Sequence, residues 1–392
     1  MAMLSLPCEQ PTLMAGPPPV DALVDFPASD DDDDHDGTAW WSAELPISEG
    51  LEELVLDLSR SPGGVAELRS RLPLDLIPSL HSLGGLTLDL SHCGDLSVAE
   101  LAAELASLPS LERLALDLSW CGGLSDLAEL DALRRLRGLR QLTLDLSSCK
   151  RPGLMAELGA GLRNLGGLQE LTLNLSNCSI TSLGAGLQYL SGLRHLSLIC
   201  NYCSDLSSVA DLGAELRSLR GLQQLTLELS YCQALTSVAE LAAGLACLHD
   251  LRRLTLDLSW CRLASVATLG PALRGLGSLQ DLSLDLGHCE CLTSMDQLGA
   301  GLQSLRSLRS LSLLLCFCSH LGSVAALGAA LQRLASLQEL TLDLGACGAL
   351  PRVAELVADL RGLLKLEQLR LDLPDGTSCD SASCDCDCEF EC

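Results

Sequence analysis

Aromatic side chains are scarce, 3% of a 392-residue chain that is 48% hydrophobic, so a core has to be filled by Leu, Val and Ala rather than rings. No run of 18 apolar residues is free of charge, which excludes a membrane-spanning helix on sequence grounds. The N-terminus has no basic segment followed by an apolar one, as a secretory leader requires. The expectation is therefore a cytoplasmic protein, with the nucleus as the alternative compartment. Basic residues are missing from both ends: residues 1–50 carry 11 acidic side chains and residues 374–392 carry 6, with no Lys or Arg in either. A net charge of -26 argues against nucleic-acid phosphate as a partner and for a protein with a basic or mixed surface. Signatures of chemistry are absent too: no P-loop, no G-x-S-x-G elbow, no H-E-x-x-H, and seven histidines without metal-ligand spacing. The expectation is a protein that is not an enzyme and needs no cofactor.

What the chain does have is leucine, set in a period. Aligned on the segment LTLDLS, its central acidic position recurs at Asp57, Asp89, Asp117, Asp145, Asn174, Ile199, Glu228, Asp257, Asp285, Leu314, Asp343 and Asp372. The spacings are 32, 28, 28, 29, 25, 29, 29, 28, 29, 29 and 29. Chance apolar runs do not hold a register over that many intervals, so the chain reads as a solenoid of about twelve repeats. Alternation in Leu142-Thr143-Leu144-Asp145-Leu146-Ser147 predicts a strand with leucines on one side and Thr, Asp and Ser on the other. Leucines four apart in the segment 97–105 predict a helix, opened by a capping box of Ser97 with Glu100; Ser237 with Glu240 repeats it. Neither element buries its apolar side alone, so neighbouring repeats must stack.

The pattern LxLxLxxC followed by a helix, at 28–29 residues over roughly 51–373, resembles the ribonuclease-inhibitor and cysteine-containing classes of leucine-rich repeats. The resemblance implies an α/β horseshoe with the parallel sheet on the concave face and helices on the convex one. For function it implies a choice among enzyme inhibitors, GTPase regulators and ubiquitin-ligase substrate receptors.

The predicted organisation is a disordered acidic, Pro-rich segment at 1–39, a repeat domain at 40–373, and an acidic cysteine-rich tail at 374–392. Residues 40–50, with Trp40 and Trp41, serve as the N-terminal cap. The interval of 25 between Asn174 and Ile199 is about one helical turn short and predicts a shorter outer element there.

Equivalent side chains of stacked parallel strands lie side by side, so the sheet face divides into ladders. One carries Thr and Ser, another the acidic position, and both have bland readings: β-propensity, and a duplicated aspartate satisfied by neighbouring hydroxyls. Adjacent carboxylates should raise one another's pKa. The position before the repeat cysteine holds His92, Trp120, Ser148, Asn177, Tyr202, Tyr231, Trp260, His288, Phe317 and Ala346, and takes five of the six Trp, Tyr or Phe residues between 51 and 373. Rings aligned on an accessible edge are residue types that carry interface energy; the competing reading is that each ring packs on its neighbour to cover the turn. Ile199 and Leu314 interrupt the acidic ladder beside this run. The partner-binding candidates are thus Tyr202, Tyr231, Trp260, His288, Phe317, Ile199, Leu314, Glu228, Asp257 and Asp285, on a non-catalytic protein-binding scaffold with an acidic, aromatic-rimmed face.

The repeat cysteines read as buried thiols, and Cys200, although part of a C-x-x-C with Cys203, falls on a leucine position. In the tail, Cys384, Cys386, Cys388 and Cys392 alternate with acidic residues. Such closely spaced thiolates are soft-metal ligands, which makes a metal-binding protein the alternative from a different class.

Overall fold

A computed structural model describes residues 23–24, 52–60, 82–374 with short gaps (94–96, 107, 109, 125–132, 134, 151–152, 185, 349, 351–352, 361–362 and 364–365), and 378–381. Among the described residues, every strand belongs to one sheet whose spatial order is the order of the sequence, from Leu23–Val24 (β1) to Ser378–Ser381 (β14). Strands β2 (Glu53–Asp57) to β13 (Gln368–Asp372) are the repeat strands, five residues each, and every neighbouring pair is parallel and in register. Thus Asp89 lies beside Asp57 and Asp117, and Leu88 beside Leu56 and Leu116.

Alternation acts here as the sequence predicts. In Gln141–Asp145 (β5) Leu142 and Leu144 are 1% exposed, while Gln141 and Asp145 are half-buried and Thr143 is exposed on the opposite face. Leucines from strands, turns and helices form one continuous cluster, with no ring among its buried members. The core is an aliphatic column, and each repeat closes the end of the one before it.

Helices alternate with the strands. Val98–Leu105 is α1, and the Glu100 N–H donates to Ser97 Oγ at 3.3 Å, the predicted cap. Ser237 acts one residue earlier than expected, accepting from Ala239 N–H at 3.3 Å; Ser265, Ser294 and Ser323 repeat this arrangement. The short repeat carries a three-residue 3-10 turn, Leu187–Tyr189, where its neighbours carry helices, which accounts for the missing helical turn. Tyr189 is 44% exposed on the helical side, where Arg163 Cζ lies 5.3 Å from its ring centre.

Adjacent helices approach through glycine. A Cβ on Gly270 would meet the Gln297 carbonyl oxygen at 1.9 Å, and one on Gly213 would meet that of Glu240 at 2.2 Å. The helical layer is therefore packed backbone to backbone in these repeats.

Both ends of the sheet are extended. Leu23–Val24 (β1) pairs parallel with β2, so part of the segment expected to be disordered adds a strand. The rest of 1–39, the cap at 40–50 with Trp40 and Trp41, and the long first interval lie outside the described residues, apart from its flanks. At the other end Ser378–Ser381 (β14) pairs antiparallel with β13, Leu371 opposite Cys379, so the tail begins as an edge strand. Cys384, Cys386, Cys388 and Cys392 lie outside the described residues.

Candidate functional site

Each repeat strand ends at the recurring position that is acidic in most repeats. In seven repeats the carboxylate Oδ1 accepts the backbone N–H two residues on, at 2.8–2.9 Å, from Asp57 to Ser59, Asp89 to Ser91, Asp117 to Ser119, Asp145 to Ser147, Asp257 to Ser259, Asp285 to Gly287 and Asp343 to Gly345. Asn174 does the same for Ser176 at 3.1 Å. The aspartate is thus an Asx cap of the turn. Its local partner is a backbone N–H, and at Asp117 the Ser119 hydroxyl bonds the carboxylate as well, as the sequence suggested.

The next residue but two, the ring position, is left-handed in every described repeat, with φ between 54° and 61° from Arg60 to Ala346. A bulky residue there is conformationally costly, of order 1 kcal/mol. The turn is retained because it extends the inter-repeat ladder: the N–H of Tyr202 donates to Ser230 O at 2.9 Å, that of Tyr231 to Ser259 O at 3.0 Å and that of Phe317 to Gly345 O at 2.8 Å. Ser148 and Asn177 make the same bond, each at 2.8 Å, without a ring.

Tyr202, Tyr231, Trp260, His288 and Phe317 form one continuous stack. Successive ring centres are 4.5, 4.9, 3.7 and 4.3 Å apart, with planes within 13° of parallel. Both sequence readings of this ladder meet here, since the rings do pack on one another and yet the column stands in solvent. Tyr202 and Phe317, at its ends, are 57% and 51% exposed, and Trp260 in the middle 38%. His92 and Trp120 form a separate two-ring stack, centres 5.5 Å apart. Burial between rings lowers the His288 pKa, opposed by the Glu290 carboxylate.

Parallel register places Ile199, Glu228, Asp257, Asp285 and Leu314 side by side across the same five repeats. Ile199 and Leu314 are half-buried rather than exposed. Asp285 is pushed up to about 6, chiefly by burial, with Asp257 and Asp343 adding repulsion while the Gly287 N–H opposes. Asp117 is also raised, again by burial first and by Asp145 and Asp89 only after its bonds to Ser119. Mutual repulsion, the cause expected from sequence, is the smaller effect.

Two features escape an alternation argument. In the Glu228 repeat, which has no aspartate to cap its turn, Asn201 of the preceding repeat caps it from the side, its Oδ1 accepting Ser230 N–H and Oγ at 3.0 and 2.8 Å and its Nδ2 donating to Glu228 Oε2 at 3.0 Å. The signal was an Asn at a position that is Ser in most repeats. The far rim of the sheet carries polar pairs: Arg253 with Asp281 at 2.9 Å, His195 Nδ1 with Glu170 at 3.0 Å, and Arg113 with Glu53, reached across Gly85.

Behind the ring column lie the repeat cysteines. Ten thiols, Cys93 to Cys347, are buried, each donating to a carbonyl of the preceding repeat at 2.8–3.4 Å. Burial pushes Cys121, Cys178, Cys232, Cys261 and Cys318 up to about 12, so none is a thiolate near neutrality. Cys200 is fully buried at its leucine position. Among the described residues there is no group of three or more His, Cys, Asp or Glu placed to hold a metal ion, and no helix long and apolar enough to cross a membrane.

Twelve parallel strands in register, one per repeat, with helices or a 3-10 turn packed between them, define an α/β leucine-rich-repeat solenoid. No protein-family model matches the chain, and no curated protein matches it. Among solved structures, it is similar to the crystal structure of an internalin C2 from Listeria monocytogenes str. 4b F2365. The identity is 23%, over 62% of this chain and 83% of that one, with a TM-score of 0.38.

Proposed function

We propose that this protein is a non-catalytic binding scaffold that holds a protein with a basic or mixed surface on its sheet face, at the repeats from Ile199 to Phe317. One observation carries the reading: the turn that presents the rings does not need them. Ser148, Asn177 and Ala346 adopt the same left-handed conformation, with φ of 60°, 57° and 54°, so five consecutive rings are an addition to the fold rather than a condition of it. Large rings kept in solvent at a conformationally costly position suit an interface, where Trp and Tyr supply contact area with few rotamers to freeze. The neighbouring carboxylates of Glu228, Asp257 and Asp285 add charge, and half-buried Ile199 and Leu314 supply apolar ground. A face of parallel ladders offers no converging acid, base and nucleophile, which supports binding over catalysis.

The test is the double variant Tyr231→Ser with Trp260→Ser, serine being what the chain itself places at 148. Wild type and variant with equal far-ultraviolet circular dichroism are compared in affinity purification with quantitative mass spectrometry. Partners retained by wild type should be lost by the variant, and an unchanged set would refute the assignment.

A further inference from the structure

The ring ladder is interrupted once between two stacks. Trp120 ends the stack begun by His92, Tyr202 begins the long column, and between them stand Ser148 and Asn177. Each of the two rings has one face against its stacking partner and turns the other toward the gap. Both are 57% exposed, against 38% for Trp260, which has a ring on each side. The floor is polar and fixed, with Asn177 Nδ2 donating to Ser148 Oγ at 3.0 Å. On the sheet face half-buried Asp117 stands in the repeat of Trp120 and Asp145 in that of Ser148, followed by Asn174, whose amide donates to Asp145 Oδ2 at 2.7 Å, and by Ile199 in the repeat of Tyr202. On the turn side lie exposed Lys150 and Asp205, of opposite sign.

From Trp120 to Tyr202 is three repeat steps, about 14 Å at the strand spacing of a parallel sheet. One planar group cannot touch both walls. Two can, each resting about 3.6 Å from its ring, which leaves about 7 Å between them. That separation matches alternate side chains of an extended peptide, about 6.7 Å apart. A stacked column presents positive ring edges along its length and negative faces only at its ends, so these two faces are where a cation is attracted. The chain uses this contact itself, at Arg163 over Tyr189.

We infer that the notch between Trp120 and Tyr202 takes an extended basic segment of another protein carrying arginines two residues apart, one guanidinium on each ring, the one on Trp120 beside Asp117 and Asp145. Residues 1–50 and 374–392 contain no Lys or Arg, so neither segment supplies it. This inference rests on the scaffold reading and names a partner chemistry for that face.

The test titrates the full chain with synthetic peptides by isothermal calorimetry. Gly-Arg-Gly-Arg-Gly should bind at least about fivefold tighter than Gly-Lys-Gly-Lys-Gly and than a peptide with its arginines four residues apart. Trp120→Leu and Tyr202→Leu should each weaken it by about fivefold. Ser148→Tyr with Asn177→Tyr should abolish the preference by continuing the column through the notch, at positions whose backbone already matches the ring positions. Tyr189→Leu, on the helical side, should change nothing. Equal affinity for the arginine and lysine peptides, tighter binding of Gly-Trp-Gly-Trp-Gly, or full binding to the filled notch would each overturn the proposal. If any of these occurs while Tyr231→Ser with Trp260→Ser still loses its partners, the notch is wrong and the scaffold stands.

Discussion

Asp285 should weaken the fold as pH rises, and Asp285→Asn should remove that weakness. The carboxyl is held at about 6 in the folded chain against an ordinary 3.8, because it is buried between Asp257 and Leu314 with Asp343 and Cys316 nearby. A folded pKa above the unfolded one means that the folded state binds more protons between these values. The stabilisation is complete below about pH 4, declines through the window, and is gone above about pH 6. The difference corresponds to an upper limit of about 3 kcal/mol. Asparagine keeps the cap, since Asn174 already accepts the Ser176 N–H at 3.1 Å, and it carries no charge. In urea titrations at pH 4, 6 and 8, the variant should match wild type at pH 4 and exceed it by about 1–3 kcal/mol at pH 8. A variant with no gain at pH 8, or with the same gain at every pH, would show that Asp285 ionises normally.

Other consequences follow from the turns and the helical layer. With N-ethylmaleimide at pH 7.5, peptide mapping should find exposed Cys291 labelled in the folded chain and the ten ladder cysteines labelled only after unfolding; ready labelling of Cys232 or Cys261 would contradict their burial. Gly270→Ala should cost about 1–3 kcal/mol by urea titration, because its Cβ would meet the Gln297 carbonyl at 1.9 Å, whereas Gly221→Ala, with nothing within 4 Å, should be near neutral. Equal effects would mean that the helices do not meet at Gly270. Ala346→Tyr should extend the column past Phe317 and raise stability by about 0.5–1.5 kcal/mol. A loss of stability would mean that the turn does not accept rings freely.

The architecture was readable because its determinants are periodic. Leucine alternation set the strands, leucines four apart set the helices, and a shortened interval marked the 3-10 turn at Leu187–Tyr189. The ring column was readable as a ladder, since equal spacing and parallel pairing bring Tyr202, Tyr231, Trp260, His288 and Phe317 together. Its geometry was not, because the left-handed turn depends on backbone bonds between repeats that side-chain pattern does not encode. The aspartate role was half visible: Asp-x-Ser and Asp-x-Gly recur at the strand ends, and that pairing is the signature of an Asx cap. Alternation alone pointed to charge repulsion instead. Asn201 was hidden for a different reason, since it caps the neighbouring repeat.

Whether the ring and acid face is where this protein binds is most directly decided by mapping a captured partner. Three chains are compared in quantitative affinity purification: wild type, Tyr231→Ser with Trp260→Ser on the sheet side, and Arg163→Ala with Tyr189→Ala on the helical side. A sheet-face scaffold should keep its partners in the helical-side variant and lose them in the sheet-side variant. Loss in the helical-side variant alone would put the binding surface on the opposite side of the solenoid.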